Sequence, residues 1–134
     1  MPEFGQNPAE IRRRAAMAVS AERDRRIALG HIVTVSGYGE IPVQGRPQDQ
    51  INLLALKDTA RDMADAGVTE PVIPFRDGDN VHHLLTPAQM IEIADQGKRA
   101  ASAIYAAAWA LKAYEPIPED FADDRHWPGS TEEA

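Results

Sequence analysis

His82 and His83 follow Asp77, Asp79 and Asn80 in the segment Phe75-Arg76-Asp77-Gly78-Asp79-Asn80-Val81-His82-His83. Imidazoles and carboxylates this close in sequence are the donor set of a divalent-metal site. Their order argues against a shared ion, because adjacent strand residues point to opposite faces. The expectation is a polar turn with one His facing solvent and the other packed against a helix. A small metal- or ligand-binding domain, or an enzyme, built on the His82/His83 turn is the alternative reading of this chain. Gly37-Tyr38-Gly39 lacks the Gly-Lys-Ser/Thr ending of a phosphate loop, and no helix opens straight after it. Ser20, Ser36, Ser102 and Ser130 lie outside any Gly-x-Ser-x-Gly elbow. The carboxylates gather in a turn and near the C-terminus, without a spacing that demands acid/base work. The sequence therefore predicts no catalytic residue, no metal ligand and no cofactor.

Residue types suited to binding are easier to find. Tyr105, Trp109 and Tyr114 lie off the small-residue seam of a long predicted helix, and Trp127-Pro128 stands in an otherwise polar, proline-rich stretch. Large aromatic rings of this kind are the usual anchors of protein interfaces. Arg12, Arg13 and Arg14, with Arg23, Arg25 and Arg26, crowd the first helix. They read either as a solvated face pairing with nearby carboxylates or as a docking face for an acidic partner. Tyr105, Trp109, Tyr114 and Trp127 are thus the candidate partner-binding anchors, with Arg12, Arg13 and Arg14 at a polar rim. Trp127 either tucks back onto its own domain or docks into another subunit. Arg76, beside Phe75, with Asn80 closing the turn, is expected to lock a hairpin to a neighbouring helix.

The elements that carry these residues have clear boundaries. Asn7-Pro8-Ala9-Glu10 and Thr86-Pro87-Ala88-Gln89 follow one logic: a capping side chain, proline at the first helical position, then a residue that can reach back to the cap. The first helix ends near Gly30. The last runs toward Tyr114 with Met90, Ala94, Gly97, Ala101, Ile104, Ala108 and Leu111 at alternating spacings of four and three. This is an apolar seam with small residues at its centre, suited to close approach by another polypeptide segment. Pro47 to Ala66, stopped by Gly67, reads as a middle helix. His31 to Gly45 and Val72 to Leu84 read as antiparallel hairpins around Gly- and Asp/Asn-rich turns. Pro42 confines its strand to an edge or a bulge. The predicted fold is α+β: three helices, the last one long, packed with one or two small antiparallel β-hairpins. The predicted organisation is a flexible arm at 1–6, a single domain at 7–114 and an extended acidic tail at 115–134.

Composition narrows the function classes. The net charge of −7 argues against nucleic acid as a ligand, since phosphate binding needs a surplus of Lys and Arg on one face. With no cysteine, disulfide frameworks and thiolate-ligated metals are excluded. No apolar run is long enough for a membrane span, and no signal-peptide core is visible. Aromatic residues make up only 6% of the chain, so a thin core of close helices is expected.

The order of these features resembles a known domain. The Arg-rich helix ending at Gly30, the helix around Gln50, Asn52 and Leu53, and the Phe75-Arg76-Asp77 turn with Asn80 come first. Leu85-Thr86-Pro87-Ala88-Gln89-Met90 and a long Ala-rich helix with Trp109 follow. Over about Ala21 to Tyr114 this is similar to an uncharacterised domain found in tailed-phage genomes near the tail-fibre genes. Trp109, Tyr114, Ile117, Pro118 and Trp127-Pro128 resemble the C-terminal pattern of phage tail-fibre assembly proteins. The resemblance implies a non-enzymatic tail structural protein or assembly chaperone that binds a tail-fibre or baseplate protein. Homo-oligomerisation through the long helix is open, nucleic acid and membrane are not expected partners, and the expected place is the host cytoplasm during assembly, with retention in the virion tail open. A regulator of a host factor would use the same binding logic.

Overall fold

Three proline-led helices and two short hairpins make up the computed structural model, which describes residues 7–129. The order is α1 (Pro8–Leu29), β1 (His31–Val35), β2 (Gly39–Val43), α2 (Pro47–Asp65), β3 (Ile73–Arg76), β4 (His82–Leu85) and α3 (Pro87–Lys112), then a 3-10 turn at Asp124–His126. The α+β architecture is the one the sequence predicts. The arm expected at 1–6 lies outside the described residues, as does Ser130. The chain divides into two compact units. Unit 1 takes residues up to Arg26 together with those from Ser102 onward, and unit 2 takes Ile27–Ala101.

The helix starts follow from their caps. Asn7 Oδ1 accepts hydrogen bonds from the Ala9 and Glu10 amides at 2.8 and 3.2 Å. At α3 the box closes in both directions: the Thr86 amide donates to Gln89 Oε1 at 2.9 Å, and the Gln89 amide donates to Thr86 Oγ1 at 3.1 Å. Each of these bonds satisfies a donor that a helix start leaves unpaired. α2 has no such polar cap residue. Asp49 reaches back instead, accepting from the Arg46 amide at 3.0 Å and from Arg46 Nε at 2.8 Å. The Arg46 hydrogen bond is the main cause that holds the Asp49 carboxyl below the usual carboxylate range. α1 ends at Gly30, whose φ of 76° suits glycine and whose absent Cβ leaves room for the Val43 carbonyl oxygen.

In unit 2, β1 pairs antiparallel with β2 (Val33 opposite Ile41) and β3 with β4 (Phe75 opposite His83). Period-two alternation sends Val33, Val35, Ile41 and Val43 into one core with Ile73, Phe75, Leu85, Met90 and Ile93. From α2, Leu53 and Ala60 complete it, while Ile51 and Leu54 stay exposed. The open edge of β1 is covered from α3: Gln96 Nε2 donates to the Thr34 carbonyl at 3.0 Å, and Glu92 accepts from the Ser36 amide at 3.0 Å. On β2, Pro42 has no N–H to offer, and its carbonyl accepts from the Gly78 amide at 2.9 Å. The edge position expected from the proline therefore holds, and that bond joins the two hairpins.

In unit 1, Val19 of α1, Ala108 and Leu111 of α3, and Ile117 and Trp127 form a second core, flanked by Ala15, Ala16, Ile104, Ala107 and Phe121. Two expectations change here. The stretch from 115 to 129 is not an extended tail, because Ile117, Phe121 and Trp127 carry enough apolar surface to fold it back into its own unit. The α3 seam also finds its partners inside the chain. Met90 and Ala94 are buried in the unit 2 core, and a Cβ added at Gly97 would meet Leu53 Cδ1 at 3.4 Å. Ala108 and Leu111 are buried in the unit 1 core.

Candidate functional site

With its seam filled, α3 presents a different face to solvent. From Ser102 to Tyr114 the exposed positions are Ser102, Ala103, Tyr105, Ala106, Trp109, Ala110, Ala113 and Tyr114. None of them is charged. Lys112, the one ionisable side chain of that stretch besides its tyrosines, is half-buried and donates from Nζ to Ser20 Oγ at 2.6 Å. Trp109 is 64% exposed and Tyr114 56%. Tyr105 and Trp109, four apart and so neighbours on a helix, stand with ring centroids 6.1 Å apart. The Arg23 guanidinium lies 5.0 Å from the Tyr105 ring centroid, a cation–π distance. Its Nε donates to Asp24 Oδ1 at 2.8 Å. An uncharged helical face bearing exposed aromatics is the surface chemistry of an interface.

Trp127 is the candidate anchor that the structure places elsewhere. Only 2% of it is exposed. Its Nε1 donates to the Phe121 carbonyl at 2.7 Å, and the Arg26 guanidinium covers the ring at 5.2 Å. Arg26 also donates to the Ala122 carbonyl at 2.9 Å, to Asp124 at 2.7 Å and to Glu22 at 2.6 Å. Trp127 therefore packs in cis, and its hydrogen-bonding group is already used. The hydrogen bonds of Arg25 and then Arg26 hold the Glu22 carboxyl below its ordinary range, against the opposing effect of burial.

The three rim arginines also separate. Arg12 is a helix-end clamp: Nη2 donates to the Lys112 carbonyl at 2.8 Å, and Nη1 to the Tyr114 carbonyl at 3.1 Å and to the Glu115 carboxylate. A cation is favoured there because the last carbonyls of a helix carry partial negative charge. Arg13 and Arg14 instead pair with Glu10 one turn away, at 2.5 and 3.5 Å, beside a shallow open depression lined by Asn7 and Ala9. Exposed pairs of this kind contribute little.

In unit 2, the His82/His83 turn resolves as alternation requires. His82 is exposed. His83 points inward, but its partners are polar and lie on the hairpins. His83 Nε2 meets Asp77 Oδ2 at 2.7 Å, and His83 Nδ1 meets Tyr38 Oη at 2.5 Å. Asp77, not Arg76 or Asn80, holds the turn: its Oδ1 accepts from the Asp79 and Val81 amides at 2.8 and 2.9 Å. Asn80 supplies the left-handed residue, with φ of 67°. Arg76 is exposed. Among the described residues, no three His, Cys, Asp or Glu side chains are grouped to hold a metal ion.

The family model described as a domain of unknown function (DUF4376) matches residues 10–124. The chain belongs to that family. No curated protein and no solved structure matches it. The DUF4376 span takes in Tyr38, Asp77 and His83 as well as Tyr105, Trp109, Tyr114 and Arg12 to Arg14, and it stops short of Trp127. Residues that escaped the sequence reading of this DUF4376 chain are Tyr38, taken only as part of a glycine turn, and Arg23 as a partner for Tyr105. Tyr38 and His83 are 45 positions apart, and no local pattern announces their contact.

Proposed function

We propose that this chain is a phage tail structural or tail-fibre assembly protein that binds a tail-fibre or baseplate protein through the exposed aromatic face of α3. The observation that carries the reading is the run of uncharged exposed positions around Tyr105 and Trp109. Two sequence likenesses support the choice of partner: the Leu85-Thr86-Pro87-Ala88-Gln89-Met90 box and the Trp109 to Trp127-Pro128 pattern. The mechanism is burial rather than catalysis. A specific complex buries about 1,600 Å² in total, and a few central rings carry most of its energy. Tyr105 and Trp109 are those rings, Tyr114 extends the patch, and Arg23 sits at its polar edge.

The test is co-purification of the tagged chain with the tail-fibre and baseplate proteins encoded near it. Trp109→Ala is expected to lose at least 2 kcal/mol of binding, about thirtyfold in Kd, as hot-spot truncations do. Arg13→Ala is expected to leave binding unchanged. Retained binding by Trp109→Ala, or self-association as the only complex seen by light scattering, counts against this reading.

A further inference from the structure

Unit 2 holds a chain of three functional groups that the docking role does not use. Tyr38 Oη, His83 and Asp77 are in series: phenol to Nδ1 at 2.5 Å, and Nε2 to carboxylate at 2.7 Å. The two rings meet edge-on, with centroids 5.5 Å apart and planes at 67°. The Asp77 side chain is only 3% exposed and that of His83 11%. Tyr38, at the tip of the β1–β2 hairpin, is 45% exposed. The order is a nucleophile open to solvent, a base behind it, and a buried group orienting the base, which is the arrangement that activates weak nucleophiles.

The proton positions follow from chemistry. Burial alone would raise the Asp77 carboxyl, but hydrogen bonds from His83 and from the Val81 and Asp79 amides hold it below the usual carboxylate range. It is therefore an ionised acceptor at neutral pH. A neutral His83 facing it carries its proton on Nε2, which leaves Nδ1 bare and aimed at the Tyr38 hydroxyl. The Asp77 bonds to two turn amides fix that orientation, since they hold the carboxylate in place.

We propose that Tyr38 is a nucleophile that takes acyl groups from small activated esters, with His83 as its general base and Asp77 as the positioning residue. In the step, an electron pair on the phenolic oxygen forms the new C–O bond to the ester carbonyl carbon. The phenol proton passes to His83 Nδ1. The bond to the leaving aryl oxygen breaks, and its electron pair departs on that oxygen. Acyl-Tyr38, a protonated His83 and the leaving aryloxide are the products, so atoms and charge balance with no further reagent. This activity is independent of the α3 docking face and stands or falls separately from it.

The probe is p-nitrophenyl acetate, applied to the full chain at neutral pH, with acetylation located by peptide mass mapping. Tyr114, which is 56% exposed in unit 1, is the internal reference within the same molecule. General-base assistance contributes about 10²–10⁴-fold, so Tyr38 is expected to acetylate at least about a hundredfold faster than Tyr114. His83→Gln should bring Tyr38 down to the rate of Tyr114. Asp77→Asn keeps an oxygen for the turn amides but presents an N–H to Nε2, which forces the ring proton onto Nδ1. It should therefore suppress Tyr38 acetylation while circular dichroism stays native. Equal rates at Tyr38 and Tyr114 in the unsubstituted chain, or a Tyr38 rate unmoved by His83→Gln, would overturn the proposal. The first comparison needs no variant to fold.

Discussion

Unit 2 draws its core from six elements and fills it mainly with β-branched and larger aliphatic side chains, with Phe75 as its one aromatic ring. Unit 1 has α1, α3 and the returning C-terminal segment, and centres its core on Val19, Ala108, Leu111, Ile117 and one tryptophan, with Ala15, Ala16 and Ala107 packed around them. The difference shows two ways to close a small core. Alanines let two helices approach closely but supply little apolar area per residue. One large ring must then provide what many branched residues provide elsewhere. Stability is therefore expected to rest heavily on Trp127 in unit 1 and to be spread over many side chains in unit 2. Trp109, on the same helix as the alanines, is left in solvent as a consequence of the same seam.

The strongest way to break that comparison is to truncate Trp127. Trp127→Ala is expected to cost about 3–5 kcal/mol, the range for a large aromatic in a core, and Ile41→Val in unit 2 only about 0.5–1.5. Urea unfolding measures both. Hydrogen exchange should show the Ala108 and Leu111 amides losing more protection in Trp127→Ala than those of Val33 and Ile41. Equal losses in both units would mean that the ring is not the keystone of its own core.

The second prediction contrasts two glycines of unit 2, both at positive φ. At Gly30 an added Cβ would stand 1.8 Å from the Val43 carbonyl oxygen, and at Gly37 it would meet nothing within 4 Å. Gly37→Ala should cost about 1–2 kcal/mol, the left-handed penalty alone. Gly30→Ala should cost more, because backbone must move as well. Equal costs would show that the α1–β1 joint is looser than described. Smaller still, Thr86→Ala should cost about 1 kcal/mol through the lost cap. Smallest of all, Arg13→Ala and Arg14→Ala should stay within about 0.5 kcal/mol, as exposed pairs do. A large loss at either arginine would restore it as a functional contact.

Much of this fold was legible in the sequence, because its signals are local. Asn7-Pro8 and Thr86-Pro87 place two helix starts, and Gly30 and Gly67 close two helices. Gly37 and the Asp77 to Asn80 turn mark both hairpins, with the second displaced by one residue from its expected span. Alternation separated His82 from His83 correctly. What the sequence did not show is long-range. Arg12 finds the Lys112 carbonyl, Arg26 finds Trp127, and Tyr38 finds His83, each across dozens of residues. An arginine pairing with a carboxylate one turn away and an arginine capping a distant helix look alike in sequence. The stretch 115–134 reads as tail because its prolines and aspartates outnumber Ile117, Phe121 and Trp127, the large apolar side chains that fold residues 115–129 back. The α3 seam was visible, but not which segments would fill it: the chain's own do.

Two single-tryptophan variants measure the division of labour between Trp109 and Trp127 directly. With Trp127→Phe, the remaining Trp109 is expected to emit at long wavelength and to be strongly quenched by acrylamide. With Trp109→Phe, the remaining Trp127 should emit at short wavelength and resist the quencher until the protein unfolds. Equal quenching of the two, or a protected Trp109 beside an accessible Trp127, would contradict both the cis packing of the C-terminal segment and the open face on α3.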